Sequence, residues 1–196
     1  MAGDGEVLIV GGTGMLGGQV VSELLARGKR VRALVRPTSD AKRLEQAGVE
    51  IARGDMMDPV SLLDAMEGAD AVISTAAGYT RHSKGDTDEI DRIGNRNLAD
   101  AASQAGVRRF VLTSILTCDQ TPQVPHFWHK KLAEDRLEEL GVPFVSLRAG
   151  AFLDMIIDAL VSDRPVRRRP DSPGRGVWPG TYCRGCDRQA RPQLGT

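Results

Sequence analysis

Glycines at positions 11, 14 and 17, in Gly11-Gly-Thr13-Gly14-Met15-Leu16-Gly17, directly follow the apolar run Val7-Leu-Ile-Val10. An apolar-periodic stretch follows in turn: Val20, Val21, Leu24 and Leu25. That order reads as strand, tight turn and helix. Residues without a Cβ let the backbone approach a pyrophosphate, and a helix N-terminus offers unpaired N–H groups and partial positive charge. In this context the glycine pattern predicts a nucleotide site. Arg36 and Thr38 follow a second apolar run. An acidic residue there would hold the ribose hydroxyls of NAD, whereas the planar guanidinium of Arg36, with the Thr38 hydroxyl beside it, suits the 2′-phosphate of NADP. NADP(H) is the expected cofactor, with NAD(H) as the alternative. After a third apolar run, Asp55 is expected to accept from the adenine amino group and Met56 to pack on the ring. His126 and Lys130 stand four residues apart, a spacing that puts both side chains on one face of a helix.

The elements that must position these groups alternate regularly. Strands are expected at Val7–Val10, Arg30–Val35, Val49–Arg53, Ala71–Ser74, Arg109–Thr113 and Pro143–Leu147. Helices are expected at Met15–Arg27, from Ser39 or Asp40 to Ala47, at Asp58–Met66, Thr87–Ala105 and Pro125–Leu140, with a last apolar one at Ala151–Leu160. The segment Tyr79–Asp86 reads as a polar loop. Strands separated by crossover helices predict an α/β fold with a doubly wound parallel sheet of Rossmann type, its ligand at the C-terminal ends of the strands.

The chain has 196 residues and no net charge, but its sign is divided. From Asp163 onward stand eight Arg against three Asp, a net of +5, which leaves −5 for residues 1–162. The last 34 residues hold five Pro and five Gly, no lysine, and only Val166, Val177 and Leu194 as aliphatics. Such a stretch buries too little apolar surface to offset its ordering entropy. The expected organisation is a nucleotide-binding domain over 1–162 and an irregular basic tail over 163–196. No apolar run approaches the ~20 residues of a membrane helix, and the start lacks a hydrophobic signal region. Three cysteines, Cys118, Cys183 and Cys186, make no disulfide framework, so a reducing, cytoplasmic setting is expected. Cys183 and Cys186 lack a second ligand pair, and His126 and His129 lack a third ligand, so no metal site is expected. Arg167-Arg-Arg169 is a short basic run of a kind common in solvated tails, and no nucleic-acid or membrane partner is expected. A small-molecule substrate is expected. The sequence carries no signal of oligomeric state.

Several motifs converge on one family. Gly11–Gly17, Leu34-Val-Arg36-Pro37, Gly54-Asp55, Ala71-Val-Ile-Ser74, Gly106-Val-Arg-Arg-Phe-Val-Leu-Thr-Ser114 and Gly141-Val-Pro-Phe-Val-Ser-Leu-Arg148 resemble the atypical short-chain dehydrogenase/reductases, in particular their NmrA-like, NAD(P)H-binding branch. The resemblance covers roughly residues 5 to 160 and implies nicotinamide near the ends of the fourth, fifth and sixth strands. It implies that Thr75, Ala76 and Ala77 run past the nicotinamide ribose, and that Ser114 stands beside a substrate carbonyl. It implies that Lys130, in its Lys-x-x-x-Glu spacing to Glu134, holds the ribose, with Lys131 as the other register. It implies that Gly150 and Phe152 approach the carboxamide end of the cofactor. The family's usual tyrosine, four residues before the lysine, is replaced by His126, which the resemblance makes a candidate acid for the alkoxide that ketone reduction generates. A quinone yields a phenolate-type anion with a pKa of about 10, which leaves unprotonated far more easily than an alkoxide. The expected function is therefore NAD(P)H-dependent reduction of a quinone-like or conjugated carbonyl compound. The alternative is a nucleotide-binding regulatory or interaction protein without turnover. The resemblance dissolves near Leu160–Asp163, before the family's substrate lobe. The tail's Arg, Pro and Gly bias is what an out-of-frame GC-rich gene encodes, so a frameshift or truncation is expected there.

Overall fold

The computed structural model describes residues 5–78 and 87–150. The expected alternation is present: β1 (Glu6–Val10), α1 (Met15–Ala26), β2 (Val31–Val35), α2 (Lys42–Gln46), β3 (Glu50–Arg53), α3 (Pro59–Met66) and β4 (Ala69–Ser74). Then come α4 (Asn95–Gln104), β5 (Arg109–Ile115), α5 (Pro125–Glu139) and β6 (Phe144–Ala149). The six strands form one sheet in the order β3-β2-β1-β4-β5-β6, every neighbouring pair parallel. Strand order reverses between β1 and β4, and doubly wound sheets take their ligands at such a crevice.

Both faces of the sheet are covered, so the central strands are apolar on both sides. In β1, Leu8 and Val10 face a core shared with Leu62 and Met66 of α3, Leu98 and Ala102 of α4 and Leu137 of α5. Ile9 points the other way, into a smaller core with Val31, Ala33 and Val35 of β2, Val21 of α1 and Leu44 of α2. A continuous aliphatic run is what a parallel strand buried on two faces requires. The edge strand β6 differs, with Val145 and Leu147 about half exposed.

One element departs from expectation. The helix expected over 87–105 begins as a π-helix, Thr87–Gly94, and tightens to α-helical pitch only in α4. At the junction Asn95 Nδ2 donates back to Ile90 O at 3.3 Å and Asp91 O at 3.0 Å, tying the start of α4 to the wide turns. The expected loop 79–86, the helix at 151–160, the tail at 163–196 with Cys183 and Cys186, and Phe152 all lie outside the described residues. No helix among the described residues is long and apolar enough to cross a membrane.

Candidate functional site

At the first crevice the backbone makes the site. Gly14 caps α1 with no side-chain hydrogen bond, and no acidic residue stands in the first turn. The first N–H groups of α1 are therefore left to an anion. Gly14 N donates to Gly11 O at 3.0 Å, folding the turn onto itself. A Cβ on Gly17 would stand 2.1 Å from Gly11 O, and Gly11 has φ +89° with Thr75 Oγ1 2.7 Å from where its Cβ would be. Only glycine fits at either position. Thr13, Gly14 and Met15 are exposed at the lip, Met15 by 55%, and Leu16 is half-buried. Such a cradle, lined by backbone and open to solvent, fits a dinucleotide pyrophosphate.

The loop after β2 is equally open. Arg36 and Thr38 are exposed, and among the described residues the Arg36 guanidinium has no carboxylate partner. Asp55, half-buried, accepts through Oδ1 from Met57 N at 2.9 Å, which closes an Asx turn. Met56 corrects the sequence expectation. Its side chain is 6% exposed and belongs to the core, packed against Gly94, while the neighbouring Met57 is exposed. Helix packing has claimed the side chain expected to lie on adenine.

The second crevice is made of side chains. Thr75 N and Thr75 Oγ1 donate to Val10 O, which sets Thr75 and Ala76 against the glycine turn. Lys130, 3% exposed, reaches up from α5 and donates to Ala76 O at 2.8 Å. Its Nζ lies 3.6 Å from Asp91 Oδ1, a fully buried carboxylate. Asp91 Oδ2 in turn accepts from Gly78 N at 3.1 Å and Thr87 Oγ1 at 2.8 Å. Burial pushes the Lys130 ammonium below the usual lysine range, and the attraction of Asp91 only partly offsets this. Of the two candidate lysines, Lys130 is the one buried beside Ala76, while Lys131 pairs with Asp135 near the surface. Among the described residues Asp91 Oδ1, Asn95 Oδ1 and Ser74 Oγ are buried without a hydrogen-bond partner, so the pocket keeps unused polar capacity.

His126 is half-buried one turn before Lys130, with its ring edge-on to Phe127 at 4.8 Å. Burial lowers its pKa, Asp91 opposes, and His129 lowers it again, so the imidazole is neutral near pH 7. His129 Nδ1 lies 3.0 Å from Thr87 O. Ser114 is 2% exposed, its hydroxyl 3.7 Å from Cys118 Sγ. Beside them Glu134 accepts from Ser146 Oγ at 2.5 Å and twice from Arg148, at 3.1 and 2.6 Å. Arg148 also reaches Asp119 at 2.7 Å. Burial alone would raise the Glu134 pKa, but the hydrogen bonds from Arg148 and Ser146 hold it below the usual carboxylate range. Burial raises the Cys118 thiol, which therefore stays protonated and unreactive. Gly150, the last described residue, is exposed beyond β6. The residues sequence reasoning missed are Asp91, Arg148 and Cys118. Asp91, Asn95, Leu98 and Ala102 recur at helical spacing, and a carboxylate and an amide on that apolar face were the available signal.

A six-stranded parallel sheet in this order, with a glycine turn at the switch point, defines a Rossmann-type fold of the NAD(P)-binding reductase kind. The NmrA-like family profile matches residues 3–175, and the chain belongs to the NmrA-like family. It is 32% identical over 152 residues to the photosystem II assembly factor Ycf39 of Cyanophora paradoxa, covering 78% of this chain and 47% of that protein. It is 44% identical over 110 residues to sterol demethylase protein B of Methylococcus capsulatus, covering 55% and 33% of the two chains. Among solved structures it resembles Citrobacter sp. triphenylmethane reductase complexed with NADP(H). The TM-score is 0.66 at 25% identity, over 78% of this chain and 52% of the other. The chain spans about half the length of the Ycf39 protein it matches, with 47% covered.

Proposed function

We propose that the chain is an NADP(H)-dependent oxidoreductase that reduces a quinone-like or conjugated carbonyl compound. One observation carries the reading: Lys130 is buried, yet its ammonium is anchored on Ala76 O, in the loop that abuts the glycine turn. A buried cation held there has a use if it meets a polar ligand. When bound, the reduced nicotinamide supplies a hydride. The turn Gly11, Thr13, Gly14, Met15, Leu16 and Gly17 holds the pyrophosphate. Arg36 and Thr38 hold the 2′-phosphate, and Asp55 accepts from the adenine amino group. The NADP(H) complex of the Citrobacter enzyme supports this choice, with NAD(H) as the alternative. Thr75, Ala76 and Ala77 border the nicotinamide ribose, and Lys130 donates to its hydroxyls. Gly150 and Phe152 are assigned to the carboxamide end.

Ser114 and His126 complete the assigned set, at the substrate end. The neutral imidazole of His126 has no ready proton to give, which favours substrates whose reduced anion leaves unprotonated. The test is NADPH oxidation with a panel of quinones and conjugated enones, by the protein and by Lys130→Ala, each rate expressed per folded molecule from circular dichroism. Turnover that falls at least about tenfold in the variant, the loss of one charge-assisted hydrogen bond, supports the reading. NADPH binding with no turnover on any acceptor overturns it. That outcome would favour a second reading, a nucleotide-binding protein that acts by interaction, which the similarity to an assembly factor supports.

A further inference from the structure

Arg53 is the last residue of β3 and stands opposite Val35 in the register, where β2 runs out into the Arg36–Ser39 turn. Its guanidinium does not point at solvent alone. Nη1 donates to Ser39 O at 2.9 Å and Arg36 O at 3.3 Å. Nη2 lies 3.6 Å from Glu45 on α2. Arg36 O also accepts from Ser39 N at 2.9 Å, which closes the turn. One planar fork therefore joins β3, the turn and α2. An exposed ion pair such as Arg53–Glu45 adds little by itself. Two main-chain carbonyls held by one rigid group are a different matter, because they set the shape of the segment that carries Arg36 and Thr38. Arg36 makes no ion pair among the described residues, so the backbone beneath it is what aims it.

We propose that Arg53 is a positioning residue for cofactor selectivity. Its fork holds the 36–39 turn in the shape that presents Arg36 and Thr38 to a 2′-phosphate. This rests on the reading above that the cofactor is the phosphorylated dinucleotide. The role belongs to the fork, not to the charge. A lysine ammonium is a single point of donation at the end of a flexible stem and cannot hold both carbonyls and Glu45 in fixed relation.

The experiment measures dissociation constants for NADPH and NADH, by titration of cofactor fluorescence, in the full chain and in Arg36→Ala, Arg53→Lys and Arg53→Met. The unmodified chain is expected to prefer NADPH, and Arg36→Ala to lose about tenfold or more of that preference, as for a hydrogen bond to a charged group. Both Arg53 variants are expected to lose about fivefold of the preference, the worth of a neutral hydrogen bond, with NADH affinity unchanged within about twofold. If Arg53→Lys keeps the full preference, charge and not geometry acts, and the proposal fails. Equal loss for both cofactors marks a merely structural role and also overturns it. If the unmodified chain shows no preference, or Arg36→Ala changes none, the parent reading fails and takes this inference with it. A fall in the Arg36 variant with none in the Arg53 variants sinks the inference alone.

Discussion

The glycine turn and the Lys130 pocket meet at Thr75 and Ala76, but they are built from different material. The first is backbone, open to solvent, with no side chain of its own committed to the ligand. The second is a buried set of side chains in which Lys130, Asp91, Thr87 and the loop at Ala76–Gly78 bind one another, with Asp91 Oδ1 paired to Lys130 by charge alone. A backbone site tolerates almost any side chain that stays out of the way and fails when a Cβ enters. A charge-lined pocket fails when one partner is removed, because the other is left buried and uncompensated.

The comparison breaks most visibly at Lys130. Lys130→Met is expected to destabilise the fold by about 3–5 kcal/mol, the cost of orphaning a buried charge. Urea denaturation checks it, and Lys130→Met with Asp91→Leu should recover much of the loss. A stable single variant would mean that the pair carries no such strain. Next is Gly17→Ala, whose added methyl must displace Gly11 O. Its effect should fall on binding: NADPH affinity drops about a hundredfold, as for two charge-assisted hydrogen bonds. Normal binding would remove the turn from the phosphate site.

Arg148→Met tests the second cluster at about 2 kcal/mol, toward the low side because Arg148 is one-third exposed. The pH dependence follows from Glu134. Its folded pKa is depressed, so its stabilisation is complete above the unfolded value of about 4.3 and is lost as pH falls through the folded one. The gap between the two proteins in thermal denaturation should therefore be wide at pH 7 and narrow toward pH 3. A constant gap would assign the effect to packing. The smallest effect is on the backbone-built side. Asp58 Oδ1 accepts from Val60 N at the start of α3, and Asp58→Ala should cost about 1 kcal/mol without touching the Lys130 pocket.

What was legible in the sequence follows the same division. The glycine turn and the strand–helix alternation could be read because local chemistry dictates them: glycine where no Cβ fits, Asp58-Pro59 at a helix start, aliphatic runs in strands. Lys130 was singled out by the family resemblance, in its Lys-x-x-x-Glu spacing to Glu134. The partners of both were not, since Asp91 and Arg148 come from other elements and only the fold brings them near. Met56 was expected to pack on the adenine ring, but the close approach of the Gly94 end of α4 draws its side chain into the core. The π-helical start of the fourth helical stretch was invisible because a wide turn leaves no residue-type signature that ordinary helical spacing would not also fit.

That wide stretch has one more consequence. Asn97 Nδ2 donates to Met56 O at 2.9 Å, so α4 is bolted to the loop after β3, while Asp91, within the wide turns, faces Lys130. The two attachments are reconciled by the number of residues between them. Removing a single residue between Asp91 and Gly94 would swing Asp91 by about 100° around the helix axis, away from Lys130, with Asn97 still in place. Selection on this segment would act on its length before its composition, much as a ruler is spoiled by cutting it rather than by repainting it.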